Sequence, residues 1–266
     1  MLNPVPFVLL GGDDPPPFEV AGRDGRSPFF LICDHAGRRL PRVLGSLGLS
    51  PAELGRHIAW DIGAGAVARQ LAAVLDAHVV WQTYSRLVID CNRPLAAVDS
   101  IAKISEQTVI PGNSTFEPEQ AASRVREVFQ PYHDEIDRAL AQRSTAGRPT
   151  MVVAVHSFTP VFKGRARPWH VGVLYNRDVR LAQPLLRLLG KEGDLVVGDN
   201  EPYAVTDTSD FSINHHGERR GLPHVEIEIR QDLIAEATGQ HAWAERLARL
   251  LPAAASISGL TPTPRH

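Results

Sequence analysis

The chain has 266 residues, 43% of them hydrophobic and 22% charged, with 28 basic against 30 acidic side chains and a formal net charge of −2. That length suits one large domain with a multilayer core, and the balanced charge withholds the Lys and Arg surplus that binding to phosphate backbones requires, which argues against nucleic acid as a partner. No apolar run approaches the ~20 residues of a membrane span.

The opening stretch Pro4 to Leu10 is apolar but short, holds two prolines and follows no basic residue, so it does not read as a secretory signal. Residues 11–28 read as an irregular lead-in. Phe29 to Cys33 is a strand-length apolar run ending at Asp34-His35-Ala36-Gly37. Ser50-Pro51-Ala52-Glu53 combines a capping box with proline at the first helical position. Helical spacing of Val67, Leu71, Val74 and Leu75 predicts a helix over 66–77. Strands are predicted at 79–81 and 86–90, and a Pro/Gly/Asn/Ser-rich loop follows to about Thr115. An amphipathic helix spans Pro118 to Leu140, where Pro131 should kink or break it. Strands at 150–155, 171–175, 195–197 and 224–229, with helices at 181–189 and 242–251, complete the pattern, and Thr261 to Pro264 should fray. Alternating strands and helices, with several strands apolar on both faces, predict an α/β fold: one domain over 1–266 with its core at about 29–251, built on a mixed, largely parallel sheet with helices on both faces. Cys33 and Cys91, the two cysteines, are expected as buried thiols in core strands, consistent with a reducing, cytoplasmic setting.

In such sheets, sites gather where strands end at their carboxyl edge. His35 and His156 both occupy that position, and a neutral imidazole directed by a strand is a good zinc ligand. Either histidine could equally be a satisfied hydrogen bonder. Asp61, just before a helix, is the candidate third ligand, though a helix N-cap needs the same residue type; Asp34 should point the other way. In Val225-Glu226-Ile227-Glu228-Ile229 the carboxylates share one face and the isoleucines the other. One of the glutamates could be a buried general base, or the face could be solvated, and spacing does not choose between Glu226 and Glu228. Arg86, Asn92 and Arg93 could recognise a carboxylate, or the arginines could form structural ion pairs, most obviously with Asp90. Asn214 to Gly221 reads as a polar turn in which His215 and His216 are candidate substrate contacts.

His35-Ala-Gly…Pro41, Asp61, Ser85-Arg86-Leu-Val-Ile-Asp90-Cys-Asn92-Arg93-Pro94, Val155-His156-Ser157-Phe158 and Glu228-Ile-Arg230-Gln-Asp232-Leu resemble the N-formylglutamate amidohydrolase family, over about residues 29–251. That family is in turn similar to zinc carboxypeptidases and aspartoacylase, which implies a zinc-carboxypeptidase-like fold. The resemblance implies zinc, or another divalent metal, on His35 and His156, and a substrate carboxylate held by Asn92 and Arg93. It also implies Arg86 polarising the scissile carbonyl and Glu228, rather than Glu226, as the base. Arg38 stands where the carboxypeptidase-like relatives carry an acidic ligand, and Asp61 is inferred to fill that gap. The implied reaction is hydrolysis of an N-acyl amino acid with a free carboxylate, N-formyl-L-glutamate giving formate and glutamate. Two alternatives remain: a deacylase or peptidase acting on another N-acyl amino acid or small peptide, and a non-catalytic protein that binds an amino acid or metal. Oligomeric state is open.

Overall fold

Short apolar runs bounded by turn residues become strands, and seven of them pair into one sheet. A computed structural model describes residues 7–260; Thr261 to Pro264 and the start of the Pro4–Leu10 stretch lie outside the described residues. In chain order the strands are β1 (Phe18–Ala21), β2 (Phe29–Cys33), β3 (His78–Gln82), β4 (Met151–Phe158), β5 (Val171–Leu174), β6 (Val197–Asp199) and β7 (His224–Arg230). Across the sheet they run β1-β3-β2-β4-β7-β5-β6. The β1–β3 and β7–β5 pairs are antiparallel, and every other neighbouring pair is parallel. Every residue of β2, β3, β4 and β5 is buried, as a sheet covered on both faces requires.

The principal helices are α1 (Ala64–Leu75), α2 (Pro118–Arg124), α3 (Gln130–Thr145), α4 (Ala182–Gly190), α5 (Ser212–His216) and α6 (Ala237–Ile257). Helices α1, α4 and α6 bury Leu71, Leu185 and Leu247 with Leu31, Val153 and Ile227 of the sheet. On the opposite face α3 packs Tyr132, Ile136 and Leu140 with Phe30, Ile32 and Val152. Each such side chain, fully removed from water, contributes about 1.5–3 kcal/mol before entropy is counted. No helix among the described residues is long and apolar enough to cross a membrane.

Several boundaries differ from the sequence expectation, each for a local reason. The lead-in contains an edge strand, β1, whose alternating half-buried residues give only a short, weak signal. Residues 86–90 form a turn rather than a strand. Ser85 organises it: its hydroxyl donates to the Ala59 carbonyl (2.6 Å) and accepts from the Leu87 N–H (3.1 Å), while Leu87, Val88 and Ile89 are buried as they would be in a strand. Cys91 is consequently a buried loop residue, whereas Cys33 lies in β2. Pro131 does not end the helical run; a π turn over Val125–Phe129, just before it, joins α2 to α3 and is the local irregularity that the missing N–H of the proline introduces. The last helix runs past Pro252 because Ala254 and Ala255 beyond it are buried in the core.

Gly172 in β5 is set against β7, in register with Glu228. A Cβ there would lie 2.0 Å from the backbone oxygen of Glu201 and 3.5 Å from the Glu228 Cβ. Backbone cannot swing aside as a side-chain end can, so Gly172→Ala should cost about 1–3 kcal/mol. Thermal unfolding checks this: the midpoint falls by several degrees, and an unchanged midpoint would mean that the backbone at Glu201 packs on β5 more loosely than described.

Candidate active site

The parallel strands deliver their chemistry to one edge. β2 ends at Cys33 and hands the chain to Asp34 and His35; β4, beside it, carries His156, and β7, on the other side of β4, places Glu228 in register with His156. Even-numbered residues of β7 turn to the face opposite Val225, Ile227 and Ile229, which lie in the α1/α4/α6 core. That face is not solvated: Glu226 and Glu228 are 2% and 6% exposed. Asp61 arrives on the loop before α1, where its N–H donates to the His35 carbonyl at 2.9 Å. The N-cap position of α1 is Gly63, so Asp61 does not cap the helix and its side chain turns inward. Arg38, the departure from the carboxypeptidase pattern, sits over the Trp60 ring instead.

His35, Asp61 and His156 are all buried, and one donor atom from each lies within 4.8 Å of the others. Hydrogen-bond logic identifies those atoms. His156 Nε2 lies 3.1 Å from an Asp34 oxygen and His35 Nε2 lies 2.7 Å from an Asp90 oxygen. An ionised carboxylate only accepts, so each Nε2 carries the hydrogen and each Nδ1 is left with the lone pair. Both Nδ1 atoms face the same Asp61 oxygen, from 2.9 Å for His156 and 3.4 Å for His35. The His35 Nδ1 is buried without a hydrogen-bond partner. Two imidazole nitrogens and a carboxylate oxygen, converging with no donor between His35 and Asp61, match the donor set of a divalent cation such as zinc. Carboxylates behind ligating histidines are the usual second layer of such a centre, fixing tautomer and orientation.

Charge balance supports the same reading. Burial opposes ionisation of Asp34, yet hydrogen bonds from His156 and Ser212 bring its pKa down to about 2. Burial likewise opposes ionisation of Asp61 and Asp90; the neighbouring histidines for Asp61, and Arg86 with His35 for Asp90, outweigh it and lower both. Burial disfavours a charged His156, but Glu226, Asp34 and Asp61 overcome it and raise its pKa. So many carboxylates around the histidines call for positive charge, which a bound cation would supply in place of protons. Glu228 differs from the aspartates. Burial pushes its pKa up to about 8, and one carboxyl oxygen has no hydrogen-bond partner. An unengaged carboxyl group with a pKa near neutrality suits proton transfer.

His35, Asp61, Asp90, His156, Glu226 and Glu228 line a cavity of about 400 Å³ together with Arg86, Asn92 and Arg93. Arg86 makes the anticipated structural pair: its Nε and one terminal nitrogen donate to Asp90 at 3.0 and 2.6 Å, and its other terminal nitrogen lies 3.5 Å from Asp61. Five N–H donors allow it to keep those contacts and still face the cavity. Asn92 is largely spent internally. Its side-chain oxygen accepts from the Phe211 and Ser212 N–H groups at 3.2 and 2.9 Å, and its amide nitrogen donates toward Asp210 and Glu226. Arg93 donates to the Ser209 carbonyl and lies 3.4 Å from Asp99, with further hydrogens to offer. His215 and His216 are not in the cavity lining. They belong to a short helix rather than a turn, and the Phe211 ring and Asp137 hold them elsewhere.

Asp34 and Asp90 are the functional residues that sequence reasoning undervalued. Asp34 was expected to point away and Asp90 was expected only as an arginine partner, yet both brace a histidine. The available signal was their position, one directly before His35 and one four residues after Arg86. Tyr203, which also lines the cavity, lies in a segment with no sequence signal at all.

Comparison with known proteins agrees with this architecture. The family model described as N-formylglutamate amidohydrolase matches residues 27–235. The crystal structure of a gene product from Agrobacterium tumefaciens superposes with a TM-score of 0.90 at 38% identity, covering 94% of this chain and 98% of that one. The N-formylglutamate amidohydrolase from Ralstonia eutropha JMP134 superposes with a TM-score of 0.67 at 18% identity, covering 92% and 99%. No curated protein matches by sequence. With about four-fifths of its length matched by the family model, the chain belongs to the N-formylglutamate amidohydrolase family.

Proposed function

We propose that this amidohydrolase cleaves the amide bond of an N-acyl amino acid, foremost N-formyl-L-glutamate to formate and glutamate, with a zinc ion held by His35, Asp61 and His156. The observation that carries the reading is the meeting of those three donors beside the unpartnered carboxyl group of Glu228. When bound, the cation supplies Lewis acidity, lowering the pKa of water and polarising an acyl carbonyl. Glu228 takes a proton from the attacking water and returns it to the leaving nitrogen, a role its buried, raised pKa suits. Arg86, fixed by Asp90, donates to the carbonyl oxygen as it gains negative charge. Arg93 holds the amino-acid carboxylate, so that binding remote from the amide orients it.

Arg93→Ala should raise KM for carboxylated substrates and leave neutral formamides little changed. Equal losses on both would make Arg93 a structural residue that only secures Ser209. The substrate itself is tested by formate release from N-formyl-L-glutamate, set beside N-formyl-aspartate, N-acetyl-glutamate and N-formyl derivatives of neutral and basic amino acids. The reading predicts the highest kcat/KM for N-formyl-L-glutamate. A second reading has a specific observation behind it: Asp99, Glu106 and Asp210 also line the cavity, so the lining is acid-rich. That charge favours an N-acyl amino acid or small peptide carrying fewer carboxylates, and a preference for neutral or basic side chains in the panel would select it.

A further inference from the structure

Outside the cavity lining, the described residues hold a second group of metal-type donors: Asp137 on α3 with His215 and His216 on α5. His216 Nδ1 lies 2.9 Å from one Asp137 oxygen, and His215 Nε2 lies 3.3 Å from the other. Arg220 donates to the first of these oxygens at 2.7 Å. Behind His216 runs a buried chain: its Nε2 meets His133 Nδ1 at 2.9 Å, and His133 Nε2 meets the Cys91 carbonyl at 2.9 Å.

That chain fixes where the hydrogens sit. A carbonyl only accepts, so His133 Nε2 carries the hydrogen and its Nδ1 accepts from His216 Nε2. A neutral His216 then has a bare lone pair on Nδ1. This atom is buried without a hydrogen-bond partner, in a side chain 0% exposed, and it faces a carboxylate that also can only accept. Arg220 offsets the charge of that carboxylate but gives the His216 Nδ1 atom no hydrogen, and a cation bound between the two would satisfy both lone pairs.

The geometry points to a second divalent-metal site formed by Asp137, His215 and His216, suited to zinc or a similar late first-row ion by its imidazole and carboxylate donors. The two imidazole nitrogens lie 2.9 and 3.3 Å from the two oxygens of Asp137, one oxygen each, and one donor atom from each of the three residues comes within 4.8 Å of the others, a cluster that a single ion can draw together. Asp137 and His215 are about one-third exposed, so an ion can enter from solvent with water completing its shell. Such an ion would pin α5 to α3. Through His133 it would also fix the Cys91 carbonyl, between Asp90, which braces His35, and Asn92. Its role is therefore to hold the first site's loop in place rather than to take part in the reaction.

Calorimetric titration of the chelator-stripped full-length protein with zinc tests the proposal. The expected result is two zinc ions per wild-type chain and one each in His215→Ala, Asp137→Asn and His35→Ala, with the unfolding midpoint rising on both additions to wild type. His215 and Asp137 are exposed enough for their variants to fold, and circular dichroism verifies it. If His215→Ala and Asp137→Asn bind as many ions as wild type, the second site is overturned. A single wild-type ion lost in His35→Ala also overturns it and leaves the first site standing. A single ion lost instead in His215→Ala and Asp137→Asn upholds this site and removes the first.

Discussion

Glu228→Gln lowers kcat by about 10²–10⁴-fold, the usual worth of a positioned general base, while zinc affinity and KM stay close to wild type. Glutamine keeps the shape of the side chain and, in register with His156, removes only its ability to take a proton. Steady-state kinetics with metal analysis checks this, and near-normal kcat would take Glu228 out of the mechanism. A second readout is pH. Burial raises the Glu228 pKa from 4.5 to about 8, so the folded state holds a proton that the unfolded chain releases near 4.5. The stability this contributes is complete below about pH 4.5 and is lost as pH rises through about 8. Metal-stripped wild type should therefore weaken over that window, and Glu228→Gln should flatten the fall. Glu226, raised to about 8 by the same burial, leaves a residual slope in the variant.

The second large effect falls on the donors. His35→Ala should abolish stoichiometric zinc binding at the first site and reduce turnover to background. Asp90 keeps Arg86 and the Asn92 N–H as partners in that variant, so no buried carboxylate is stranded. Asp34→Asn removes a brace rather than a ligand: Ser212 still contacts residue 34, and the expected cost is the 10–100-fold in metal affinity typical of such partners. The order of the two effects is the test. Zinc content unchanged in His35→Ala would show that the histidine is only a hydrogen bonder, and an Asp34→Asn loss as complete as that of His35→Ala would erase the distinction between ligand and brace.

Much of this was legible in the sequence because strand ends and period-two alternation leave direct marks. The run 29–33 ending at His35, the run 151–155 ending at His156, and the alternation around Glu226 and Glu228 each predicted a local direction that the sheet preserves. The motif order also pointed to the family. What could not be read depended on contacts distant in the chain. Asp34 faces His156, 122 residues away, and Asn92 is consumed by the N–H groups of Phe211 and Ser212, which no spacing rule links to it. Residues 86–90 look like a strand because buried turns and buried strands are apolar alike; the Ser85 hydroxyl contacts and the bond from the Val88 N–H to the Ser85 carbonyl make them a turn. His215 and His216 drew attention as polar residues near β7, but the short helix they form turns them to Asp137.

Anomalous diffraction at the zinc edge from crystals of the zinc-loaded protein addresses the central assignment most directly. The account predicts a peak bonded to Nδ1 of His35, Nδ1 of His156 and a carboxylate oxygen of Asp61, with the Glu228 carboxyl group facing the ion. A zinc-loaded crystal with no peak among these three residues, or with the ion bonded through Nε2 of either histidine, would contradict it.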